Sequence, residues 1–206
     1  MKRYLPIILL IIFPLFGHAA KTTYGDDGVY ESLSRTRVNA SQQRADTVLN
    51  KFIYDLTHDP ESLFDNIFEG LGKQEGGLDI LIIEYCGYSH DPKRDVYIGT
   101  IDILLGSIRL FGIDFAGRIT QKRTEGKRTE VCFDLVDSNS VMKLASGKII
   151  VTRVDDQTVE IRQTARIKFT RFFDFFFTQS TYKKVADWRL DKFLMNLKRE
   201  MEKQDE

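Results

Sequence analysis

The most regular alternation of apolar and polar positions runs over residues 158–170, TVEIRQTARIKFT. Val159, Ile161, Ala165, Ile167 and Phe169 fall on one side, and Glu160, Arg162, Thr164, Arg166 and Lys168 on the other. A period of two is a strand with one buried and one wet face. The segment before it, MKLASGKIIVTRV (142–154), reads as its hairpin partner across Asp155-Asp156-Gln157. Upstream, LDILIIEYCGY (78–88) and VYIGTIDILLG (96–106) flank the polar turn SHDPKRD and predict a second hairpin. SIRLFGIDFAGRITQK (107–122) and TEVCFDLVD (129–137) continue the strands around the turn RTEGKR. Gly99, Gly106, Gly112 and Gly117 interrupt these runs, which fits either a sheet curved around a ligand or relief of strain in a filled core.

Helical spacing appears in three places. Ser41 is placed as an N-cap before Ala45, Val48, Leu49, Phe52 and Leu56, one face of an amphipathic helix. Asp59-Pro60-Glu61 restarts the pattern, with Asp59 as cap, Pro60 in the first turn, and Phe64, Ile67, Phe68 and Leu71 on one side, ending at Gly70 or Gly72. Near the C-terminus FFDFFF (172–177) leads into a charged helix with Ala186, Leu190, Phe193, Leu194, Leu197 and Met201 as its stripe. Residues 20–40 are polar, with Gly25 and Gly28, and predict a mobile arm or a first strand starting near Tyr30. The order predicts an α+β fold, a curved antiparallel sheet of about six to seven strands with two short N-terminal helices and one long C-terminal helix.

Length and composition fit one domain over residues 41–206, since 206 residues at 42% hydrophobic can bury a sizeable core. With 30 basic against 30 acidic residues there is no excess of positive charge to displace counterions, which argues against a general nucleic-acid binder. The first residues change the picture more. Lys2 and Arg3 precede an apolar run over residues 4–16, and Gly17-His18-Ala19-Ala20 follows, the three-part pattern of a secretory signal over residues 1–19. A cut after Ala19 leaves Ala19 and Gly17 at the −1 and −3 positions, whereas a cut after Ala20 places the larger His18 at −3. The apolar run carries Pro6 and Pro14 and is short of the roughly 20 residues of a membrane span. No cysteine follows it to carry a lipid anchor. The expectation is an exported protein, periplasmic or secreted, with 28 basic and 30 acidic residues after processing. Export makes a disulfide between Cys86 and Cys132 permissible. Each cysteine sits in a strand-like run where a free buried thiol is equally ordinary, and both readings stand.

Candidate chemistry is sparse. Thr57-His58-Asp59-Pro60 and Ser89-His90-Asp91-Pro92 echo each other, and His58 and His90 are weak metal candidates. Aspartate before proline is ordinary turn chemistry, so no metal and no cofactor is assigned. Ser89, His90 and Asp91 are neighbours in sequence, which triad members rarely are, and no G-x-S-x-G, P-loop or H-E-x-x-H occurs. Asp79, Glu84, Asp102 and Asp114 lie in strands, where alternation places most of them on the wet face, so no catalytic residue is assigned. Arg162, Arg166 and Lys168 form a basic stripe, and Lys183, Lys184, Lys192, Lys198, Arg199 and Lys203 decorate the last helix among interspersed acids. These read as solvated faces, with docking on an anionic membrane beside FFDFFF as the alternative.

The tail GKIIVTRVDDQTVEIRQTARIKF, followed by a helix ending WRLDKFLMNLKREMEK, resembles the START-like helix-grip superfamily, which includes polyketide-cyclase-like proteins. The resemblance covers residues 30–203, with SLSRTRVNAS in the place of the first strand. It implies a cavity between a concave sheet and the last helix, usually holding a lipid, sterol, polyketide or other apolar molecule. Phe169, Phe173, Phe176, Phe177, Trp188 and Phe193 are its candidate lining, or else they fill the core. The expected function is a non-enzymatic exported protein binding an apolar small molecule or lipid. Two alternatives remain: an envelope module whose filled core supports a protein-binding surface, and a cyclase- or hydrolase-like enzyme using the same cavity. The sequence names no protein partner.

Overall fold

Among the described residues the period-two segments pair into one antiparallel sheet, whose eight strands exceed the six or seven expected. A computed structural model describes residues 18–71, 81–105, 107–171 and 178–203. The strands are β1 (His18–Tyr24), β2 (Tyr30–Val38), β3 (Leu81–Asp91), β4 (Val96–Leu105), β5 (Ile108–Thr124), β6 (Arg128–Leu135), β7 (Met142–Arg153) and β8 (Val159–Phe169). Their order across the sheet is β1-β2-β8-β7-β6-β5-β4-β3. The one step out of sequence, β2 beside β8, brings the N-terminal strands next to the last strand and the C-terminal helix α2 (Gln179–Glu202).

The segment 20–40 is not an arm: the strand expected near Tyr30 is β2, and an additional strand, β1, precedes it. The segment's small polar side chains face inward. Thr22 and Ser32 share a hydrogen bond at 2.8 Å, and both are buried with Ser34. Buried hydroxyls that find partners cost little, so polarity here marks a packed interface. β1 begins at His18, two residues before the expected cut after Ala19.

Helix α1 (Gln42–His58) starts where expected, with Ser41 Oγ accepting from Arg44 N at 3.2 Å, and buries Ala45, Val48, Leu49 and Phe52. The expected second helix is instead one 3-10 segment (Pro60–Asp65), and the Asp59 side chain makes no capping bond. Asn66 leaves helical geometry at φ −128°, ψ −101°. Asn196 of α2 then donates to the carbonyls of Ile67 and Glu69 at 3.1 and 2.9 Å, holding a turn where the spacing predicted a helix. The remainder of that expected helix, from residue 72, lies outside the described residues.

Curvature enters at irregularities in the ladder. Register shifts occur between His18 and Lys21, Tyr85 and Gly87, Ile101 and Ile103, and Met142 and Leu144. At the third, Gly112 takes φ +60° and its N–H donates to Asp102 at 2.9 Å, forming a bulge. Gly117 has a different job: a Cβ there would lie 2.1 Å from Phe133 Cε2, so the absent side chain lets the Phe133 ring cross β5. Gly99 pairs regularly with Phe115 and has open space around it, and Gly106 lies outside the described residues. Among the described residues no helix is long and apolar enough to cross a membrane.

Gly117→Ala should therefore cost about 1–3 kcal/mol in denaturant unfolding, the range for overpacking. Adding Phe133→Leu should recover part of it, and an unchanged midpoint in Gly117→Ala would contradict the close approach.

Candidate ligand-binding interior

The inner face of the sheet follows from the register. Val159, Ile161, Gln163, Ala165, Ile167 and Phe169 point inward from β8, as the alternation predicts, together with Ile149, Val151 and Gly147 of β7, which pair with them. Apolar residues on this face gather into two clusters. One joins Val38, Val131, Ile149, Val151, Val159 and Ile161 to α1 and to Phe193, Leu194, Leu197 and Met201 of α2. The other joins Ile103, Ile113, Val141 and Phe169 to Tyr30 and to Tyr182, Val185 and Ala186 of α2.

The second cluster is an aromatic box. Tyr30 lies 4.4 Å from Tyr182, 5.9 Å from Phe169 and 4.6 Å from Tyr24 between ring centroids, and Phe169 meets Tyr182 edge-on at 4.8 Å. In the first cluster Phe193 packs 6.0 Å from both Phe52 and Phe68.

Between the clusters the inner row changes character. Ser32, Ala165, Gly147 and Phe133 succeed one another across β2, β8, β7 and β6. Three of the four are small, and Ala165, Gly147 and Phe133 are half-buried although they lie mid-strand on the core side. A Cβ on Gly147 would meet only Thr164 O, at 3.9 Å, so no close neighbour enforces glycine there. Two polar side chains belong to this middle zone. Gln163 Oε1 is buried without a hydrogen-bond partner among the described residues. Arg189 of α2 stands between Val185 and Phe193 at helical spacing, and burial holds its guanidinium down at about 10, the nearby Tyr182 opposing that shift. Burial pushes the Tyr182 phenol up. The arrangement suits an apolar body with a small polar end.

Of the residues expected to line a cavity, Phe169 and Phe193 are buried on the inner side, one in each cluster, and Trp188 is half-buried on α2. Phe173, Phe176 and Phe177 lie outside the described residues. The sequence reading missed Tyr30, Tyr182, Gln163 and Arg189. Gln163 occupies the inward phase of β8, Tyr182 extends the α2 stripe backwards and Arg189 falls within it, but a polar residue in an apolar pattern gives no signal of its own.

The other candidates go elsewhere. His58 ends α1, stacked on Tyr54 at 4.5 Å, with Nδ1 2.8 Å from Thr57 Oγ1. His90 stacks on Tyr97 at 4.5 Å near the β3–β4 turn. That turn is shorter than expected, because β3 continues through Asp91, whose carboxylate accepts from Lys93 N and Arg94 N at 2.9 and 3.3 Å. Among the described residues no group of three or more His, Cys, Asp or Glu is placed to hold a metal. Glu84 and Asp102 share Arg109, and Asp114 accepts from Thr100 at 2.6 Å, all on the outer face, while Asp79 lies outside the described residues. Arg166 pairs with Glu31 at 2.9 Å, Arg199 with Glu69 at 2.7 Å, and Lys198 with Glu202, so much of the basic decoration is neutralised locally. A cleft of about 320 Å³ on the outer face, lined by Phe111, Asp114 and Asn139, and one of about 250 Å³ between α1, the 3-10 segment and α2 lie apart from the middle zone.

A Cys86–Cys132 bridge does not form. Cys132 is a free, half-buried thiol on the outer face of β6, and β5 and β4 lie between it and β3, which carries Cys86. Three strand spacings of about 4.8 Å exceed the reach of a disulfide. Burial raises the Cys132 thiol, and its hydrogen bond to Glu130 adds to this, while Lys148 and Arg128 hold that carboxylate down at about 2.

The arrangement of sheet and helix matches solved structures. An aromatase/cyclase, Zhui, from Streptomyces sp. R1128 superposes with a TM-score of 0.52 at 9% identity, over 84% of this chain and 94% of that one. The fold is a START-like helix grip. A START superfamily protein from Mycobacterium smegmatis gives a TM-score of 0.49 at 11% identity, over 82% and 94% of the two chains. A conserved protein from Geobacillus kaustophilus gives 0.49 at 12%, over 83% and 94%. No family model matches the sequence, and no curated protein does.

The unreduced helix-grip chain should have the mass of two free thiols, and reductant should leave its thermal midpoint unchanged. A mass lower by two hydrogens would contradict the strand order.

Proposed function

We propose that the protein binds an apolar or lipid-like small molecule between the concave sheet and α2, and that it does so after export. The observation that carries this reading is the middle zone, where Ser32, Ala165 and Gly147 withhold bulk between two separately packed clusters. A core evolving only toward density would place large side chains at such positions. The aromatic box supports the reading at one end, and Arg189 with Gln163 supports a polar end for the same ligand. The helix-grip fold is compatible with it, since fold alone does not specify function. Export rests on the basic start, apolar run and small-residue end of residues 1–19, and the compartment is the periplasm or the exterior.

Native mass spectrometry of protein purified after export, without detergent, should show an adduct that denaturation removes. Gly147→Phe, which fills the middle zone, should lose the adduct while keeping its circular dichroism spectrum. A clean apo mass that persists after incubation with a lipid extract would move the account to a filled core serving a protein-binding surface.

A further inference from the structure

Two carboxylates on α2 face the N-terminal strands. Asp191 Oδ1 accepts from the backbone N of Ala20 at 2.7 Å and from Ser34 Oγ at 3.5 Å. One turn earlier, Asp187 Oδ1 accepts from Thr22 Oγ1 at 2.5 Å. Among the described residues neither acid pairs with a lysine, arginine or histidine, although α2 pairs its other acids Glu200 and Glu202 with lysines. Like charges one turn apart repel, and Ala20 is buried beside them. Burial raises the Asp191 carboxyl, and the charge of Asp187 adds to this. The fold thus sets one carboxylate on the Ala20 nitrogen and a second on Thr22 one helical turn away, and among the described residues no side-chain cation pairs with either.

Independently, the −1 and −3 pattern places the cut of the signal between Ala19 and Ala20. Hydrolysis of that bond by a signal peptidase consumes one water. The C–N bond breaks, oxygen adds to the Ala19 carbonyl carbon to leave a carboxylate on the released peptide, and the Ala20 nitrogen takes the protons to become an ammonium.

We propose that Asp187 and Asp191 form a binding site for the α-ammonium of Ala20, so that removal of the signal supplies the missing cation and clamps β1 to α2. The inference rests on the export reading for the position of the cut. Before cleavage Ala20 offers Asp191 a single neutral N–H; afterwards it offers an ammonium, so that the hydrogen bond becomes an ion pair. Because α2 also covers the interior between the two clusters, the helix over the proposed ligand becomes fully anchored only in the processed protein.

The test uses protein exported from the full-length precursor. Its intact mass identifies the new N-terminus. Limiting acetic anhydride near neutral pH then reports the reactivity of the α-amine, with the exposed Lys21 as reference in the same peptide. Pairing that raises the amine by one pH unit slows acetylation about tenfold relative to the same protein in urea. Asp191→Asn should restore much of that rate in the folded state, and Asp187→Asn, read the same way, serves where Asp191→Asn perturbs the circular dichroism spectrum. An amine that reacts natively as fast as in urea, or protection unchanged by both substitutions, would overturn the clamp. A mature chain beginning elsewhere would overturn the cut position beneath it.

Discussion

Coverage of one wide sheet by the two α-helices of the described residues is the constraint on which the rest of the structure depends. Eight strands at about 4.8 Å span roughly 34 Å, whereas a helix with its side chains is about 10–12 Å across. Helices α1 and α2 cannot cover the apolar face of such a sheet if it stays flat. It curls instead, through the bulge at Gly112 and the other register shifts. Even so, α2 lies over β1 and β2 and meets the rest of the inner face through side chains. The core is consequently divided, with α1 completing one cluster and the tyrosine box the other.

The charges follow the same division. On the outer face Glu84, Asp102 and Arg109, and likewise Arg128, Glu130 and Lys148, form ladders between neighbouring strands. Each such pair contributes little to stability in water, but together they keep a broad face soluble. Inside, charge is scarce among the described residues: Asp55 of α1 is buried and paired with Lys51, while α2 carries the half-buried Arg189 and, toward β1, Asp187 and Asp191. Strand positions withhold bulk, and polarity comes from Gln163 on the sheet and Arg189 on the helix, which divides the proposed site between the two layers of the grip.

Much of the architecture was legible because it is periodic. The alternation in β8, the Ser41 cap and the α2 stripe each report a local preference that the tertiary structure keeps. What was not legible depends on partners distant in sequence. Residues 20–40 left an arm and a strand from Tyr30 both open because Thr22, Ser32 and Ser34 are polar, and it is the acids of α2, more than 150 residues away, together with the Thr22–Ser32 bond that make them core. The segment after Pro60 had helical spacing, but Asn196 captures its carbonyls and fixes a turn. The cysteines sat in true strands, yet no local pattern reveals that two strands separate them. In the interior, aromatics were legible by size, whereas the space is defined by Ala165 and Gly147, small residues that make no local signal.

The account's central claim is that this middle zone is ligand space rather than core. It is tested most directly by a high-resolution crystal structure of the exported protein purified without detergent. Continuous, elongated density over Ala165 and Gly147, not assignable to the chain and ending near Arg189, is the predicted result. Side chains of the protein itself filling that volume in close contact with Gly147 would contradict it.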